Sequence, residues 1–188
     1  MRDFLGVDLP EAVRERIAAL QRELATSAAD VKWVAPARLH VTLKFLDEIS
    51  YAQRQAIEER VGPLAGREEA FRLGLERIGA FPSLNAPRVI WIGLAEGTER
   101  VAHLAQWIEQ EVAALQVRKD ERPFAAHLTI GRVRSARHRA ALVQRLREAS
   151  WQPPAAWPVT SLTLYHSVLS SSGPRYTVLS TFPLHGSR

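Results

Sequence analysis

The chain has 188 residues, 46% of them hydrophobic, so it can bury a core and is not expected to be disordered. No apolar run reaches the length of about 18 residues that a transmembrane helix needs, and the first residues lack the pattern of a signal peptide, so we expect a cytoplasmic protein. The net charge of +5 is carried mainly by arginine and permits an anionic partner without requiring one. The chain has no cysteine, which excludes disulfides, thiolate metal sites and a cysteine nucleophile.

Short apolar strands alternate with helical patterns along the chain. Pro10 suits the start of the first helix, because its missing N–H costs nothing there, and Ser50 is expected to cap the second. In chain order the periodicities predict strand 3–9, helix 11–25, strand 38–46, helix 50–64, strands 71–81 and 87–94, helix 98–115, strand 125–133, helix 137–149, and strands 159–169 and 175–184.

The second half of the sequence repeats the first at an offset of 87 residues. At this offset His40 falls on His127 and Thr42 falls on Thr129, and two β-α-β-α-β units superpose. The sequence therefore predicts an α+β fold in a single two-lobed domain. We place its bounds at 1–188, with lobes at about 1–86 and 87–174 and a C-terminal strand at about 175–184.

Two segments, RLHVTLKFL at 38–46 and AAHLTIGRV at 125–133, each carry a histidine and a threonine two residues apart. Alternate residues of a strand share a face, so each histidine lies beside its threonine. If the lobes are related by an approximate two-fold axis, the two faces meet across a groove. Two imidazoles and two hydroxyls would then surround one point.

Such a set suits hydrolysis of a cyclic phosphodiester. One imidazole would take a proton from water, and the other would protonate the leaving oxygen on the opposite side of phosphorus. The threonine hydroxyls would donate to the non-bridging oxygens. The sequence does not assign base and acid between the histidines. The scheme needs no metal or other cofactor, and neither strand offers further ligands at metal-site spacing.

The paired His-x-Thr-x motif resembles the signature of the two-histidine phosphoesterase superfamily. The segments FLGVDLPEAV, VKWVAPARLHVTLKFLDEI, HLTIGRVR and SVLSSSGPRYTVLSTFPL are similar to RNA 2′,3′-cyclic phosphodiesterases, once named 2′-5′ RNA ligases. The resemblance implies antiparallel sheets flanking a central cleft, and metal-independent opening of an RNA-terminal 2′,3′-cyclic phosphate to a 2′-phosphate. It implies that His40 and His127 are catalytic and that Thr42 and Thr129 bind the phosphate.

The resemblance also assigns a phosphate-binding arginine to Arg132, five residues after His127. Phe45 holds the equivalent position after His40, and it is a candidate either for contact with the nucleotide base or for a place in the core. Both have the wrong parity to share the histidine face of a regular strand, so a bulge would have to redirect them. Lys44 has the parity of His40, so it is predicted either to approach the phosphate or to be an exposed lysine at the end of the strand.

Two further aromatic residues, Trp33 and Tyr176, are candidate nucleotide contacts, although each is equally compatible with a structural role. Gly131 stands where similar proteins often have alanine, a small-for-small difference. The basic run 132–147 is either an RNA-backbone contact or a solvated helix face.

Three alternatives remain open at this level. The chain could be a 2′-5′ RNA ligase, a phosphodiesterase of a small cyclic nucleotide or cyclic ADP-ribose phosphate, or a non-catalytic module that binds RNA ends. The expected partner is RNA with a 2′,3′-cyclic phosphate end, or a small cyclic nucleotide. We expect no membrane association and a monomer.

Overall fold

The computed structural model describes residues 2–121, 123–170 and 173–186. Ser171 and Ser172 of the closing segment quoted above lie outside these ranges. The elements are β1 Arg2–Asp8, α1 Glu11–Ala25, β2 Val31–Trp33, a 3-10 turn Pro36–Arg38, β3 His40–Asp47, α2 Tyr51–Ala65, β4 Phe71–Leu73, β5 Leu75–Phe81, β6 Val89–Leu94, α3 Thr98–Ala113, β7 His127–Val133, α4 Arg139–Glu148, β8 Trp157–Val159, β9 Ser161–Ser170 and β10 Gly173–Pro183. Of the helices in the described ranges, none is both long and apolar enough to cross a membrane.

Two four-stranded antiparallel sheets form the frame, which confirms the predicted α+β class. The first sheet has the order β10-β9-β1-β3 and the second has the order β2-β7-β6-β5. The first half of the sequence supplies the adjacent strands β1 and β3 of the first sheet. The second half supplies the adjacent strands β6 and β7 of the second sheet. The last strand of each half, β5 or β9, lies in the sheet of the other half, and the short strand β2 of the first half also lies in the second sheet. The sequence halves and the sheets therefore do not coincide.

The helices bury the apolar faces that their periodicity predicts. In α1 the buried side chains include Val13, Ile17, Leu20 and Leu24, at the spacing of one helical face. The predicted cap of α2 is confirmed: the Ser50 side chain accepts from the backbone N–H of Gln53, which completes a capping box. One continuous cluster of buried apolar residues joins these helices to both sheets.

The predicted strand 71–81 is two strands with different partners. Phe71–Leu73 pairs with β8 in a small two-stranded sheet, whereas Leu75–Phe81 pairs with β6 in the second sheet. Gly74 separates them. The three-residue strand β2, which pairs with β7, was not predicted because so short a segment carries no measurable periodicity.

Each histidine-bearing strand contains a bulge at the same place. Between β1 and β3, Leu5 pairs with Lys44 and Gly6 pairs with Thr42, so Leu43 is an extra residue. Between β6 and β7, the equivalent extra residue is Ile130. An extra residue reverses the side-chain alternation beyond it. Beyond its threonine, each strand therefore turns towards the cleft the residues that would point away from it in a regular strand.

Candidate active site

The two motif histidines make the same hydrogen bond to the backbone. His40 Nδ1 lies 2.7 Å from the carbonyl oxygen of Arg38, and His127 Nδ1 lies 2.6 Å from the carbonyl oxygen of Ala125. A carbonyl oxygen only accepts, so in both rings Nδ1 donates and carries the proton. This bond fixes the tautomer and leaves Nε2 as the nitrogen that can exchange a proton.

His40 sits in an aromatic setting on the first sheet. Its ring stacks on Phe4 with centroids 4.5 Å apart and meets Tyr176 edge to face at 5.4 Å. Tyr165 also stacks on Phe4, at 4.9 Å, and its ring lies 6.1 Å from that of His40. Burial lowers the pKa of His40, and it outweighs the opposing effects of the Arg38 carbonyl and the Asp8 carboxylate. His40 is therefore neutral at neutral pH.

His127 has a related but more open setting on the second sheet. The ring of Phe81 meets it edge to face at 5.3 Å, and Trp91 does so at 6.4 Å. Trp91 falls on Phe4 at the 87-residue offset. Each motif histidine thus packs against an aromatic residue at the same position of the neighbouring strand.

A cleft of about 840 Å³ opens between the two motif strands. Thr42 and Phe45 of β3 line it together with His127, Thr129 and Arg132 of β7. The two strands also contact one another directly. The cleft lining therefore combines residues of both motifs, Thr42 of the first with His127 and Thr129 of the second, and His40 lies outside this lining.

Tyr176 provides a second link between the two sides of the cleft. It borders His40, and the positive charges of Arg38 and Arg132 oppose the rise that burial causes in its pKa. Arg132 belongs to β7, the strand of His127. Arg132 therefore lies close to the His40 side of the cleft.

The bulges decide which residues after the motif reach the cleft. Phe45 is 50% exposed and Arg132 is also exposed, and both line the cavity, so the bulge that these two residues required is present. The same bulge turns Lys44 inward: its side chain is 1% exposed and its ammonium is paired with Glu109. The predicted approach of Lys44 to phosphate assumed regular alternation, and the structure does not support it.

Trp33 does not line the cleft. It pairs with Gly131 across β2 and β7 and packs against the core. A Cβ atom at position 131 would lie 2.8 Å from Cε3 of Trp33. The structure therefore places Trp33 in a packing role over a glycine, and a base-stacking role is not supported.

Arg14 of α1 anchors the turn that delivers His40. Its guanidinium donates to the carbonyl oxygens of Pro36 and Leu39, each at 2.8 Å, and to the Asp8 carboxylate at 3.0 Å. These bonds join the end of β1 to the start of β3. Because Asp8 is also the register partner of His40, the arginine fixes the backbone around the histidine.

Several residues of the site were missed from the sequence. Phe4, Trp91, Phe81 and Tyr165 pack on or near the histidines, and none of them belongs to the motif. The 87-residue offset carries a signal for one pair, because it aligns Phe4 with Trp91. Among the side chains that the structure describes, no group of three metal-ligating residues comes together.

Comparison with known proteins agrees with this geometry. The family model for LigT-like phosphoesterases matches twice, over residues 7–91 and 92–176. A protein of Methanothermobacter thermautotrophicus named RNA 2′,3′-cyclic phosphodiesterase is 33% identical over 184 residues, which span 98% of this chain and 99% of the relative. A protein of Archaeoglobus fulgidus with the same name is 35% identical and covers 97% and 99% of the two chains.

Solved structures share the whole architecture. A crystal structure from Thermus thermophilus superposes with a TM-score of 0.81 at 29% identity and covers 100% of both chains. Escherichia coli LigT in complex with 3′-AMP superposes with a TM-score of 0.75 at 29% identity over 97% of each chain. Each of the two family matches contains one motif histidine, His40 in the first and His127 in the second, and this chain belongs to the LigT-like phosphoesterase family.

Proposed function

We propose that the chain hydrolyses 2′,3′-cyclic phosphates at the ends of RNA and that it leaves a 2′-phosphate without using a metal. The observation that carries this proposal is the matched pair of Nδ1 bonds, from His40 to Arg38 and from His127 to Ala125. Because Nδ1 donates in both rings, each histidine keeps Nε2 available for proton exchange. The names of the relatives supply the substrate class.

We propose roles for the two histidines from the difference between their settings. His40, whose pKa is lowered by burial, is neutral and serves as the general base. It accepts a proton from water as the water oxygen bonds to phosphorus. The bond from phosphorus to the 3′ oxygen breaks, and His127 donates a proton to that oxygen. Protons return through solvent, so atoms and charges balance over one turnover.

The other cleft residues bind the substrate. The hydroxyls of Thr42 and Thr129 donate to the non-bridging oxygens, where charge is held in the transition state. Arg132 supplies a charge-assisted bond to the same phosphoryl group. Phe45 offers an exposed ring on which the terminal base stacks. Tyr176 holds the His40 ring from its edge.

The test is turnover of a short oligonucleotide that ends in a 2′,3′-cyclic phosphate, in buffer containing EDTA and followed by phosphorus NMR. We expect a 2′-phosphate product, and a loss of about 10²–10⁴-fold for each of His40→Ala and His127→Ala. His185→Ala is the matched control, because this exposed histidine lies at the end of the chain.

Each component of the proposal has an outcome that contradicts it. Unchanged turnover in the His40→Ala/His127→Ala double variant would overturn the catalytic assignment. Activity abolished by EDTA and restored by a divalent metal would contradict the metal-free mechanism, and a 3′-phosphate product would contradict the bond cleavage. Tight binding of the cyclic end without turnover would indicate a binding module. A 2′-5′ linked product with a 5′-hydroxyl acceptor would indicate ligation.

A further inference from the structure

A basic loop borders the cleft beside the motif strand β7. We define the basic loop as residues 118–121, and its residues Arg118, Lys119, Asp120 and Glu121 all line the cleft. Arg118 has a 71% exposed side chain, and Lys119 is also exposed. Two exposed cations thus line a cavity that is also lined by Arg132.

Lys44 ties this loop to the strand of His40. Its ammonium lies 2.7 Å from Glu109 Oε2 and 3.1 Å from Asp120 Oδ2, and it donates to the carbonyl oxygen of Arg118 at 2.9 Å. A lysine ammonium has three N–H donors, so these three acceptors saturate it. The backbone N–H of Asp120 also donates to Glu109, at 3.2 Å. The bulge in β3 therefore converts a potential phosphate ligand into an internal anchor.

The charges of the loop are divided unequally. The loop carries two cations and two carboxylates. Asp120 is paired with Lys44, which also pairs with Glu109, and Glu121 is paired with Arg118 in an exposed bridge that contributes little in water. Within the described ranges, no ion pair joins Lys119 to another side chain. The loop can therefore bind an anion with Lys119 directly, and with Arg118 by exchange of its exposed partner.

The basic loop also lies where two cavities meet. A second cavity of about 500 Å³ is lined by Gln53 and Gln116, among others. It shares Arg2, Asp47 and Arg118 with the cleft. A strand that enters the cleft with its terminal nucleotide on Phe45 would continue past Arg118 towards this second cavity.

We infer that the basic loop binds backbone phosphates of the RNA strand upstream of the cyclic end, and that Lys44 is the positioning residue that holds the loop at the cleft. The inference rests on the proposed function and narrows its substrate class to oligonucleotides. A mononucleotide has no upstream phosphate and gains nothing from the loop.

The test compares two substrates, a 2′,3′-cyclic-phosphate-ended tetranucleotide and 2′,3′-cyclic AMP, in the full-length protein. For Arg118→Ala/Lys119→Ala we expect the ratio of kcat/KM values, oligonucleotide over mononucleotide, to fall about tenfold, mainly through KM. The salt dependence of kcat/KM for the oligonucleotide should weaken by about 0.7 in log–log slope for each backbone phosphate that the variant no longer neutralises. Arg22→Ala/Arg67→Ala removes two exposed arginines outside the cleft lining and should leave both quantities unchanged.

The positioning role of Lys44 has its own readout. Lys44→Met should lower the ratio of kcat/KM values, oligonucleotide over mononucleotide. It should cause no further loss when it is added to the Arg118→Ala/Lys119→Ala variant, because its effect passes through the loop. If Lys44→Met fails to fold, Asp120→Asn weakens the same anchor from the exposed side and should lower the ratio in the same way.

Different results would overturn the proposed function and the inference about the loop. If the wild-type protein turns over neither substrate, the proposed function is wrong. If it turns over both but the loop variants keep the wild-type ratio and salt slope, only the loop inference is overturned. Additive losses from Lys44→Met and the loop variant would overturn the positioning role alone.

Discussion

The phenyl ring of Phe4 lies stacked on the imidazole of His40, with ring centroids 4.5 Å apart and planes inclined by 28°. Phe4 is itself buried, so it covers one face of the histidine and keeps water away from it. An imidazolium is hydrated less well in this setting than in water, which is why the pKa of His40 is lowered. The stacking thus maintains the protonation state that a general base requires.

Removing the Phe4 ring from His40 should shift the pH profile of kcat/KM. In Phe4→Ala, water reaches the imidazole, so the pKa of His40 should rise towards its ordinary value. The acid limb of the kcat/KM profile, which reports the base, should then shift to higher pH. Proton NMR titration of the His40 ring should show the same shift. An acid limb that stays in place while the His40 resonance moves would assign the base to another group.

His40 should also make the protein less stable in mild acid. Its folded-state pKa is below the unfolded value of about 6.5, so between the two values the unfolded chain binds more protons. The free energy of unfolding should therefore fall as pH drops below about 6.5, by at most about 1.4 kcal/mol per pH unit from this group.

Urea unfolding at pH 7.5 and 5.5 measures this dependence. His40→Gln removes the titrating group and should reduce the loss between the two pH values, whereas His185→Gln should not. An identical loss in wild type and His40→Gln would show that His40 is not desolvated in the folded state.

Activity should depend on both the charge and the forked donor geometry of the Arg132 guanidinium. In Arg132→Met, kcat/KM for the cyclic phosphate should fall roughly 10- to 100-fold, because a charge-assisted bond to the phosphoryl group is removed. Arg132→Lys should retain part of the activity, since it keeps the charge without the fork of donors. Arg134→Met is the matched control: Arg134 is exposed and lies outside the cleft lining. Equal rates for wild type and Arg132→Met would exclude Arg132 from the site.

Gly131 and Trp33 should behave as a pair. Gly131→Ala would place a Cβ atom 2.8 Å from the Trp33 ring, so we expect a loss of about 1–3 kcal/mol in the free energy of unfolding. In a Trp33→Leu background the same change should cost less, because the ring is gone. Urea unfolding of the four chains in this double-mutant cycle measures the coupling. Identical costs in the two backgrounds would mean that the ring moves aside freely.

The sequence predicted the elements well and their pairing poorly. The helix at 11–25 and the cap at Ser50 were predicted because helical spacing and capping chemistry are local signals. The exchange of β5 and β9 between sheets was not, because strand pairing depends on contacts far apart in the chain. For the same reason, the splitting of the 71–81 segment at Gly74 became evident only from its two partners.

In the candidate site, too, the residues given by local spacing were predicted and those set by strand pairing were not. The motif pairs His40 with Thr42 and His127 with Thr129 could be read from spacing, and the structure brings residues of both halves to one cleft. Lys44 was misplaced because one extra residue in a strand reverses every side chain beyond it. Tyr176 was among the candidates, but the other aromatic neighbours of His40, Phe4 and Tyr165, were missed because they come from β1 and β9, which are far from β3 in the chain or carry no motif.

The crossing of β5 and β9 has a consequence for cooperativity. Neither half can complete its sheet with its own strands, so a break in the chain between the halves would leave two fragments whose sheets each lack strands. Each histidine lies on a strand of a sheet that the opposite half helps to close. Loosening one half therefore exposes the edge of the other. The two motif histidines thereby belong to a single unfolding unit, and the cleft should be lost in one transition and not one side at a time.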